Sequence, residues 1–366
     1  MPSGIFLERV RNMQQLFLPR YTIGKDALDS MKPIIEPYGK RVVLIYGEKA
    51  WKAAGDKVLA ALKGFDISGM IMYGKEASWD NINKLVADET VRQADVLIGI
   101  GGGKCLDVVK TAGDQLKKPV FTVATIASTC ASVTKISIIH NNDGSFKEVF
   151  RLKEPPVHCF IDTEIIFRAP RQYFWAGMGD TMAKHIECVF SAKNDVLDFA
   201  SEYGRTISSL CYYPMIEKGA AAYNSIIKGE YSEDVEEIIL SIIVATGSVS
   251  LAVNPDYNSA VAHALYYGLT VREWMERKHL HGEIVSYGTL IQLIVDKQWD
   301  KLKQTYEFNK SVGLPVCLKD LDLTMDDPLD DVLDATVINP ELYHVPYKVT
   351  KEMLREAIDY LEDYKG

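Results

Sequence analysis

The segment Ala94-Asp-Val-Leu-Ile-Gly-Ile100 leads into Gly101-Gly102-Gly103-Lys104, and apolar residues then recur at helical spacing. A short apolar run ending in glycine is typical of a buried parallel strand. Glycine lets the backbone approach a ligand, and the first turn of a helix offers free N–H groups to phosphate. A pyrophosphate-binding turn is predicted, with a merely tight turn as the alternative, because neither Walker A nor Gly-x-Gly-x-x-Gly spacing is met. For Asp107 and Lys110, one helical turn apart, one interpretation is a solvated ion pair.

The flanking sequence alternates short apolar runs with amphipathic stretches. Three further runs have the composition of buried strands, at residues 41–46, 71–73 and 120–124. Apolar strands separated by helices indicate parallel βαβ units. Residues 136–139 and 146–150 instead predict a hairpin, since Asp143-Gly144 between them suits a tight turn.

The character of the sequence changes after Ala169-Pro170. From Gln172 onward, apolar residues recur at helical spacing and few β-rich runs remain. We therefore predict two domains with a boundary near residues 165–171. The first, over residues 1–168, is an α/β dinucleotide-binding domain, and the second, over 169–366, is all-α.

Composition and charge indicate which classes of binding partner and which cellular compartment to expect. The net charge of −9 argues against a nucleic-acid surface, because phosphate binding needs clustered lysine and arginine. No apolar run approaches the roughly 20 residues of a membrane span, and the charged pair within residues 1–9 is unlike a signal peptide. Six scattered cysteines fit reduced thiols better than a disulfide framework. We expect a cytoplasmic protein with a small-molecule substrate and no nucleic-acid or membrane partner.

Residues near the predicted strand ends suit a nucleotide. Thr125 and Ser128 lie in a hydroxyl-rich loop after the strand at 120–124, and open α/β sheets bind ligands at the carboxyl ends of their strands. Glu48 follows the strand at 41–46, where a carboxylate accepts hydrogen bonds from ribose hydroxyls and repels a 2′-phosphate. NAD is therefore favoured and NADP stays open, while Glu48 has the alternative of an ordinary helix N-terminal carboxylate.

Asp180, His263 and His281 stand in glycine-punctuated segments of the second half of the chain. One carboxylate and two imidazoles from different segments can converge on a divalent metal and leave a coordination position open, as catalytic sites do. For His263, surrounded by alanine, leucine and tyrosine, the alternative is a core histidine. The trio predicts an enzyme that uses a metal as a Lewis acid.

With these motifs in order, the chain resembles the iron-containing (group III) alcohol dehydrogenases, and more closely their glycerol dehydrogenase branch. The specific motifs are Gly-Gly-Gly-Lys-x-x-Asp at 101–107, Thr-Ile-Ala-Ser-Thr at 125–129, Ala-Gly-Met-Gly-Asp at 176–180, Ala-His-Ala at 262–264 and His-Gly-Glu at 281–283. The resemblance implies a dehydrogenase of the CH–OH group, with a dinucleotide-binding α/β domain, a helical domain and the active site in the cleft between them. It also implies a homo-oligomer.

The resemblance further implies roles for individual residues. Asp180, His263 and His281 would bind the metal, which is Zn or Fe. Cofactor contacts would come from the glycine cluster and from two later segments: Gly101, Gly102, Gly103, Lys104, Thr125, Ser128, Thr134, Ile136 and His140. Gly103 and Lys104 would touch the pyrophosphate, and Thr125 and Ser128 would contact the nucleotide. The last three residues would surround the nicotinamide, although the family usually carries tyrosine where His140 stands.

Two positions point away from glycerol as the substrate. Cys130 stands where glycerol dehydrogenases carry an aspartate for a glycerol hydroxyl, and a thiol is a poor hydrogen-bond partner. Lys184 follows Asp180 by four residues on one helix face, where its ammonium can meet a substrate carboxylate; the alternative is a pair with Asp180 or Glu187. Both features are more like bacterial hydroxycarboxylate dehydrogenases. We expect a small 2-hydroxy or 2-oxo acid, with glycerol or another vicinal diol as the alternative.

One further class of enzyme shares this architecture and metal trio. Dehydroquinate synthase is a lyase that uses NAD only transiently, and its phosphorylated substrate needs an array of basic residues that these motifs lack. Among the remaining histidines, no role is predicted for His185 or His344, and His279 is expected at the surface.

Overall fold

A computed structural model describes residues 15–366, so the expectation about residues 1–9 lies outside the described part of the chain. Eight strands are present there, and we number them in chain order: β1 Tyr21–Gly24, β2 Arg41–Tyr46, β3 Asp66–Met72, β4 Val96–Gly101, β5 Val120–Ala124, β6 Ile136–His140, β7 Phe146–Arg151 and β8 His158–Asp162.

The α-helices of the described residues are numbered in the same way. Before the long helix that follows Pro170 they are α1 Met31–Ile35, α2 Glu48–Ala61, α3 Trp79–Ala87, α4 Glu89–Gln93, α5 Gly103–Leu116 and α6 Thr163–Phe167. From there on they are α7 Arg171–Ser191, α8 Phe199–Ile207, α9 Ala220–Lys228, α10 Glu233–Leu240, α11 Thr246–Ala252, α12 Val261–Leu269, α13 Met275–Lys278, α14 His281–Val295, α15 Trp299–Val312, α16 Asp330–Val337 and α17 Lys351–Asp363.

Six strands form a parallel sheet in the order β1-β8-β5-β4-β2-β3, and helices follow most of them. The predicted fold class, an α/β domain followed by a helical domain, is confirmed. All six strands are parallel, so their carboxyl ends share one edge of the sheet, and the glycine turn after β4 lies there. The edge strand β1 and its neighbour β8 were not predicted as strands.

The predicted hairpin is present as β6 and β7, paired antiparallel. Its turn is closed by a hydrogen bond from Gly144 N to the Asn141 carbonyl of 3.0 Å, and Gly144 adopts φ +92°, a conformation that favours glycine. The hairpin reaches the helical domain as well, because the Phe146 ring lies 5.6 Å from the Tyr267 ring on α12.

The helical domain is built around α14, which is buried almost throughout and packs against α7 and α12. Glycines allow these helices to touch backbone to backbone. A β-carbon at Gly179 would lie 2.5 Å from the Gly282 carbonyl oxygen, and one at Gly288 would lie 2.6 Å from that of Ala262. Such contacts bring the three helices that carry Asp180, His263 and His281 into register.

One stretch departs from the expectation that no apolar run approaches the length of a membrane span. Residues Glu233–Ala252 form a continuous helix, in which a π-helical turn joins α10 to α11. By length and composition alone it passes as a membrane-crossing helix, with a mean hydropathy of 1.7. Its apolar window is 72% buried within the protein, as the core helix of a globular domain is.

Candidate metal and cofactor site

Three side chains from three helices of the helical domain meet at one point. Asp180 lies midway along α7, His263 in the first turn of α12, and His281 is the first residue of α14. The Nε2 atoms of His281 and His263 lie 3.3 and 3.6 Å from Asp180 Oδ1. Ligand atoms of all three residues fall within 4.8 Å of one another, which is compact enough to hold one metal ion.

Behind this trio lies a carboxylate that the sequence reasoning did not assign to the site. Glu187 is fully buried, and its Oε2 lies 2.6 Å from His263 Nδ1. Its Oε1 accepts hydrogen bonds from the backbone N–H groups of His263 and Ala260, at 2.9 and 2.7 Å. Held this way, His263 donates through Nδ1 and presents Nε2 toward Asp180. Histidines that bind a metal commonly donate their other ring N–H to a carboxylate in this manner, which fixes the tautomer. The available signal was its spacing, seven residues after Asp180 and so two turns along the same face of α7.

The electrostatics of the trio favour a bound cation. Burial alone would lower the pKa of His263, but the carboxylates of Glu187 and Asp180 raise it to about 10. Burial would raise the pKa of Asp180, but the two histidines hold it well below its usual range. Two carboxylates thus share a buried site with two imidazoles, and a donor set of one oxygen and two nitrogens suits Zn(II) or Fe(II).

The glycine cluster lies across a single loop from this trio. Gly101 ends β4, and α5 begins at Gly103. A β-carbon at Gly102 would lie 2.5 Å from Ile126 Cδ1, so the turn presses against the loop of residues 125–131. On its other side the loop meets α7, where a β-carbon at Gly177 would lie 2.5 Å from the Ala127 carbonyl oxygen.

The predicted nucleotide contacts Thr125 and Ser128 lie in this loop, so they stand between the glycine turn and α7, the helix that carries Asp180. Thr125 directly follows β5 and donates its N–H to the Gly101 carbonyl at 3.2 Å. The Cα of Ser128 would lie 3.1 Å from a β-carbon at Gly177 on α7. The predicted phosphate turn, the hydroxyl-rich loop and the helix that carries Asp180 therefore lie side by side, and we call the region between the glycine turn and α7 the cleft.

Lys104 and His140 meet at a second carboxylate that was not predicted. Lys104 Nζ donates to Glu76 Oε2 at 2.6 Å, and His140 Nδ1 lies 3.2 Å from Glu76 Oε1. Burial would raise the pKa of Glu76, but hydrogen bonds with His140 and Lys104 lower it to about 2. Glu76 follows β3 at the carboxyl edge of the sheet, and this position is the one sequence signal that marks it.

The remaining predicted cofactor residues are also at this edge or beside it. Glu48 is the first residue of α2 and accepts a hydrogen bond from Lys52 at 2.8 Å on the surface. Thr134 and Ile136, the latter the first residue of β6, are held against α5, because their carbonyls accept hydrogen bonds from Lys110 Nζ at 3.4 and 2.5 Å. Lys110 is buried against Asp107, so the interpretation of that pair as solvated is wrong.

The two predicted substrate residues lie on the metal side of the cleft. Lys184 Nζ donates to the Asn258 carbonyl at 2.6 Å and lies 3.4 Å from its side-chain oxygen. Within residues 15–366 no carboxylate oxygen lies within 4.0 Å of this ammonium, so the alternative pair with Asp180 or Glu187 is not formed. Burial raises the pKa of the Cys130 thiol to about 11, with Lys184 lowering it and Asp180 raising it, so the thiol is neutral.

The other histidines are bound into separate contacts. His185 Nδ1 lies 2.8 Å from Ser208 Oγ, and its Nε2 lies 3.0 Å from Lys301 Nζ. His344 Nε2 lies 2.5 Å from Asp195 Oδ2. The expectation that His279 lies at the surface is wrong, because its side chain is 9% exposed and hydrogen-bonded to Glu283 at 2.9 Å.

Comparison with protein families supports the same resemblance. The family model described as iron-containing alcohol dehydrogenase matches residues 19–163. A glycerol dehydrogenase of Thermotoga maritima is 31% identical over 364 residues, which cover 95% of this chain and 96% of the relative. Hydroxycarboxylate dehydrogenase A of Escherichia coli is 30% identical over 330 residues, covering 89% and 90% of the two chains.

The fold has a close counterpart among solved structures. A probable glycerol dehydrogenase from Sinorhizobium meliloti superposes with a TM-score of 0.84 at 25% identity. The match covers 96% of this chain and 98% of that one, so both the sheet and the helical domain are included.

Proposed function

Because this chain belongs to the iron-containing alcohol dehydrogenase family, and so acts on the CH–OH group, we propose that it interconverts small 2-hydroxy and 2-oxo carboxylic acids with NAD(H). The family and the reaction class rest on similarity along the whole chain. The proposed substrate class depends on the Lys184 ammonium. It lies on α7, the helix of Asp180, and has no carboxylate partner among the described residues.

Asp180, His263 and His281 would hold the metal in this proposal, with Zn(II) and Fe(II) both compatible. When bound, the metal supplies Lewis-acid polarisation of the substrate oxygen. Glu187 fixes His263 in the tautomer that presents Nε2, and the backbone contacts among α7, α12 and α14 keep the ligands together.

The glycine turn and the loop of residues 125–131 would receive the dinucleotide. Free N–H groups at the start of α5 face the carboxyl edge of the sheet, where a pyrophosphate is stabilised. Glu48, two residues after the end of β2, favours NAD, because its carboxylate repels a 2′-phosphate. Comparing the Kd values of NADH and NADPH by cofactor fluorescence checks this preference, and tighter NADPH binding contradicts it.

An anionic substrate fits the chemistry of Lys184 and Cys130. An ammonium that donates only to the oxygens of Asn258 retains a proton for a substrate carboxylate. The neutral thiol of Cys130 gives a polyol hydroxyl no strong acceptor and adds no negative charge beside Asp180. Together the two residues favour an acid over glycerol.

The decisive experiment compares two assays after reconstitution with Zn(II) or Fe(II). NADH oxidation with 2-oxobutanoate should exceed NAD reduction with glycerol, and no activity with any 2-oxo acid contradicts the proposal. Lys184→Met removes the ammonium and keeps most of the length of the side chain. It should raise the KM for 2-oxo acids at least about tenfold, because a charge-assisted hydrogen bond is lost. Lys193→Met, which removes a lysine ion-paired with Asp296 beyond the end of α7, is the matched control.

Glycerol or a vicinal diol is the second candidate, favoured by the name of the Thermotoga maritima relative. Cys130→Asp introduces an acceptor at the loop and should raise activity with glycerol relative to the acid if the scaffold is shared.

We also propose a cytoplasmic homo-oligomer. All six cysteines are free, which supports a reducing compartment, and light scattering measures the assembly.

A further inference from the structure

Lys110 is a buried ammonium that the proposed reaction does not use. Its residue is 1% exposed, and Nζ lies 2.8 Å from Asp107 Oδ1. Nζ also donates to the backbone carbonyls of Ala131, Thr134 and Ile136, at 2.7, 3.4 and 2.5 Å. Burying a lysine costs free energy unless its charge is paired and its protons are hydrogen-bonded. Here Asp107 on the same helix pairs the charge, and the carbonyls of residues 131–136 accept the hydrogen bonds.

Asp107 holds the far end of the same segment. Its Oδ2 accepts a hydrogen bond from the Ile138 N–H at 3.0 Å, and its backbone carbonyl accepts one from Ser137 Oγ at 3.2 Å. Asp107 and Lys110 are one turn apart on α5, the helix that opens at the glycine turn. This pair therefore ties residues 131–138, from one end to the other, to the predicted pyrophosphate helix.

The tied segment lies on the path between the phosphate turn and the metal trio. A β-carbon at Gly103 would lie 3.7 Å from Ala131 Cβ, so the segment begins beside the turn. Val133 packs against Gly247 in the helical domain, so the segment also meets the metal-bearing half. Residues 131–138 thus lead from the predicted pyrophosphate turn to the helical domain, which is the direction that the nicotinamide of a dinucleotide bound at the turn would take toward Asp180.

We infer that Lys110 is a positioning residue that, paired with Asp107, holds residues 131–138 in the shape that receives the nicotinamide ring. The inference rests on the proposed binding of NAD. Lys110 acts through backbone carbonyls, so its removal should disturb the nicotinamide end of the cofactor and spare the adenosine and pyrophosphate end.

The first test reads the tether without any cofactor. Lys110→Met removes the ammonium at nearly constant volume, and hydrogen exchange of the peptide containing residues 131–138 should rise at least about tenfold. Lys118→Met is the matched control, because Lys118 Nζ also donates to a backbone carbonyl, that of Ala94, at the opposite edge of the sheet. Unchanged exchange in residues 131–138 overturns the inference whatever the cofactor does.

The second test separates the two ends of the cofactor. NADH should bind Lys110→Met about tenfold more weakly, whereas ADP-ribose, which lacks the nicotinamide, should change less than about twofold. Equal weakening of both ligands indicates a merely structural role and overturns the inference. A wild-type protein that binds neither ligand overturns the proposed function instead, and the exchange measurement still decides whether the tether exists.

A variant without buried charge guards against misfolding. Lys110→Met alone leaves Asp107 unpaired, so the double variant Asp107→Asn with Lys110→Met removes both charges and should fold. It still lacks the three lysine–carbonyl bonds, and the same split between NADH and ADP-ribose is expected. Wild-type NADH affinity in the folded double variant overturns the inference.

Discussion

The two sides of the cleft differ in the groups that they offer to a ligand, which are backbone atoms on one side and side chains on the other. On the proposed cofactor side, the glycine turn would meet the dinucleotide with backbone atoms, and Lys104 next to it is 48% exposed. On the proposed metal side, the ligands would be side chains, and Glu187 behind them is fully buried. Backbone groups keep their chemistry when side chains change. A buried carboxylate, by contrast, loses its charge when a single oxygen atom is replaced, as in a change from glutamate to glutamine. Substitutions should therefore have larger and more selective effects on the metal side.

The largest effect is expected from the metal ligands. His263→Ala removes one of three ligands and should lower turnover at least about a thousandfold, because Lewis-acid stabilisation of the transition state is lost. Metal content measured by mass spectrometry should fall with it, while the NADH Kd stays within about twofold. Wild-type turnover by this variant after metal stripping contradicts the role of the trio.

Glu187→Gln tests the buried support on the metal side. Losing the outer carboxylate of a ligating histidine typically costs about 10- to 100-fold in metal affinity, and metal titration measures this. Glu76→Gln is the matched variant on the cofactor side, since Glu76 also contacts a histidine, His140. It should leave metal affinity unchanged, and equal losses in the two variants would erase the contrast between the sides.

Lys104→Met should have a moderate effect confined to the cofactor. The lysine is half exposed, so solvent screens its charge, and we expect NADH to bind about five- to tenfold more weakly. Metal content should be that of the wild type. A loss beyond about a hundredfold would mean that this side depends on one side chain as strongly as the metal side does.

Acid stability is a property in which the two halves should behave alike. Burial lowers the pKa of His158 in the sheet to about 4 and, with Lys301, that of His185 in the helices to about 3. The unfolded chain takes up these protons below about pH 6.5, so the stabilisation is complete above that pH and is lost toward pH 4. The expected loss at pH 5 is on the order of 1–2 kcal/mol per histidine.

Chemical denaturation of His158→Phe at pH 7 and pH 5 measures this dependence. The variant cannot be protonated at this position, so its free energy of unfolding should fall less between the two pH values than that of the wild type. An identical fall in both proteins would exclude His158 as a source of acid sensitivity.

The sequence predicted elements whose signal is local and missed those whose signal lies in their neighbours. β4 consists of apolar residues and glycine and β5 has Thr122 as its one polar residue, whereas β1 has four residues and β8 runs from a histidine to an aspartate. β8 is a strand because it pairs with β5 on one side and with β1 on the other, where Tyr21 lies opposite Cys159. Neither β1 nor β8 has the apolar continuity that marks a strand on its own.

The same distinction holds in the candidate site. Asp180, His263 and His281 stand in recognisable motifs, but Glu187 gains its role from α12, which is more than 70 positions away in the chain. Asp107 and Lys110 have the spacing of an exposed ion pair, and only the hairpin and loop packed over them make the pair buried. Spacing along a helix reports which side chains are neighbours and not what covers them.

The glycine contacts among α7, α12 and α14 also bear on how such a protein can change over time. At Gly179 and Gly288 a β-carbon would collide with the backbone of a neighbouring helix, so almost no mutation is open there. Positions 130 and 184 border the same site without that restriction. If residues 130 and 184 select the substrate as proposed, a lineage can exchange one substrate for another at those two positions while inheriting the geometry of the trio, and relatives named for an alcohol and for an acid can share one scaffold.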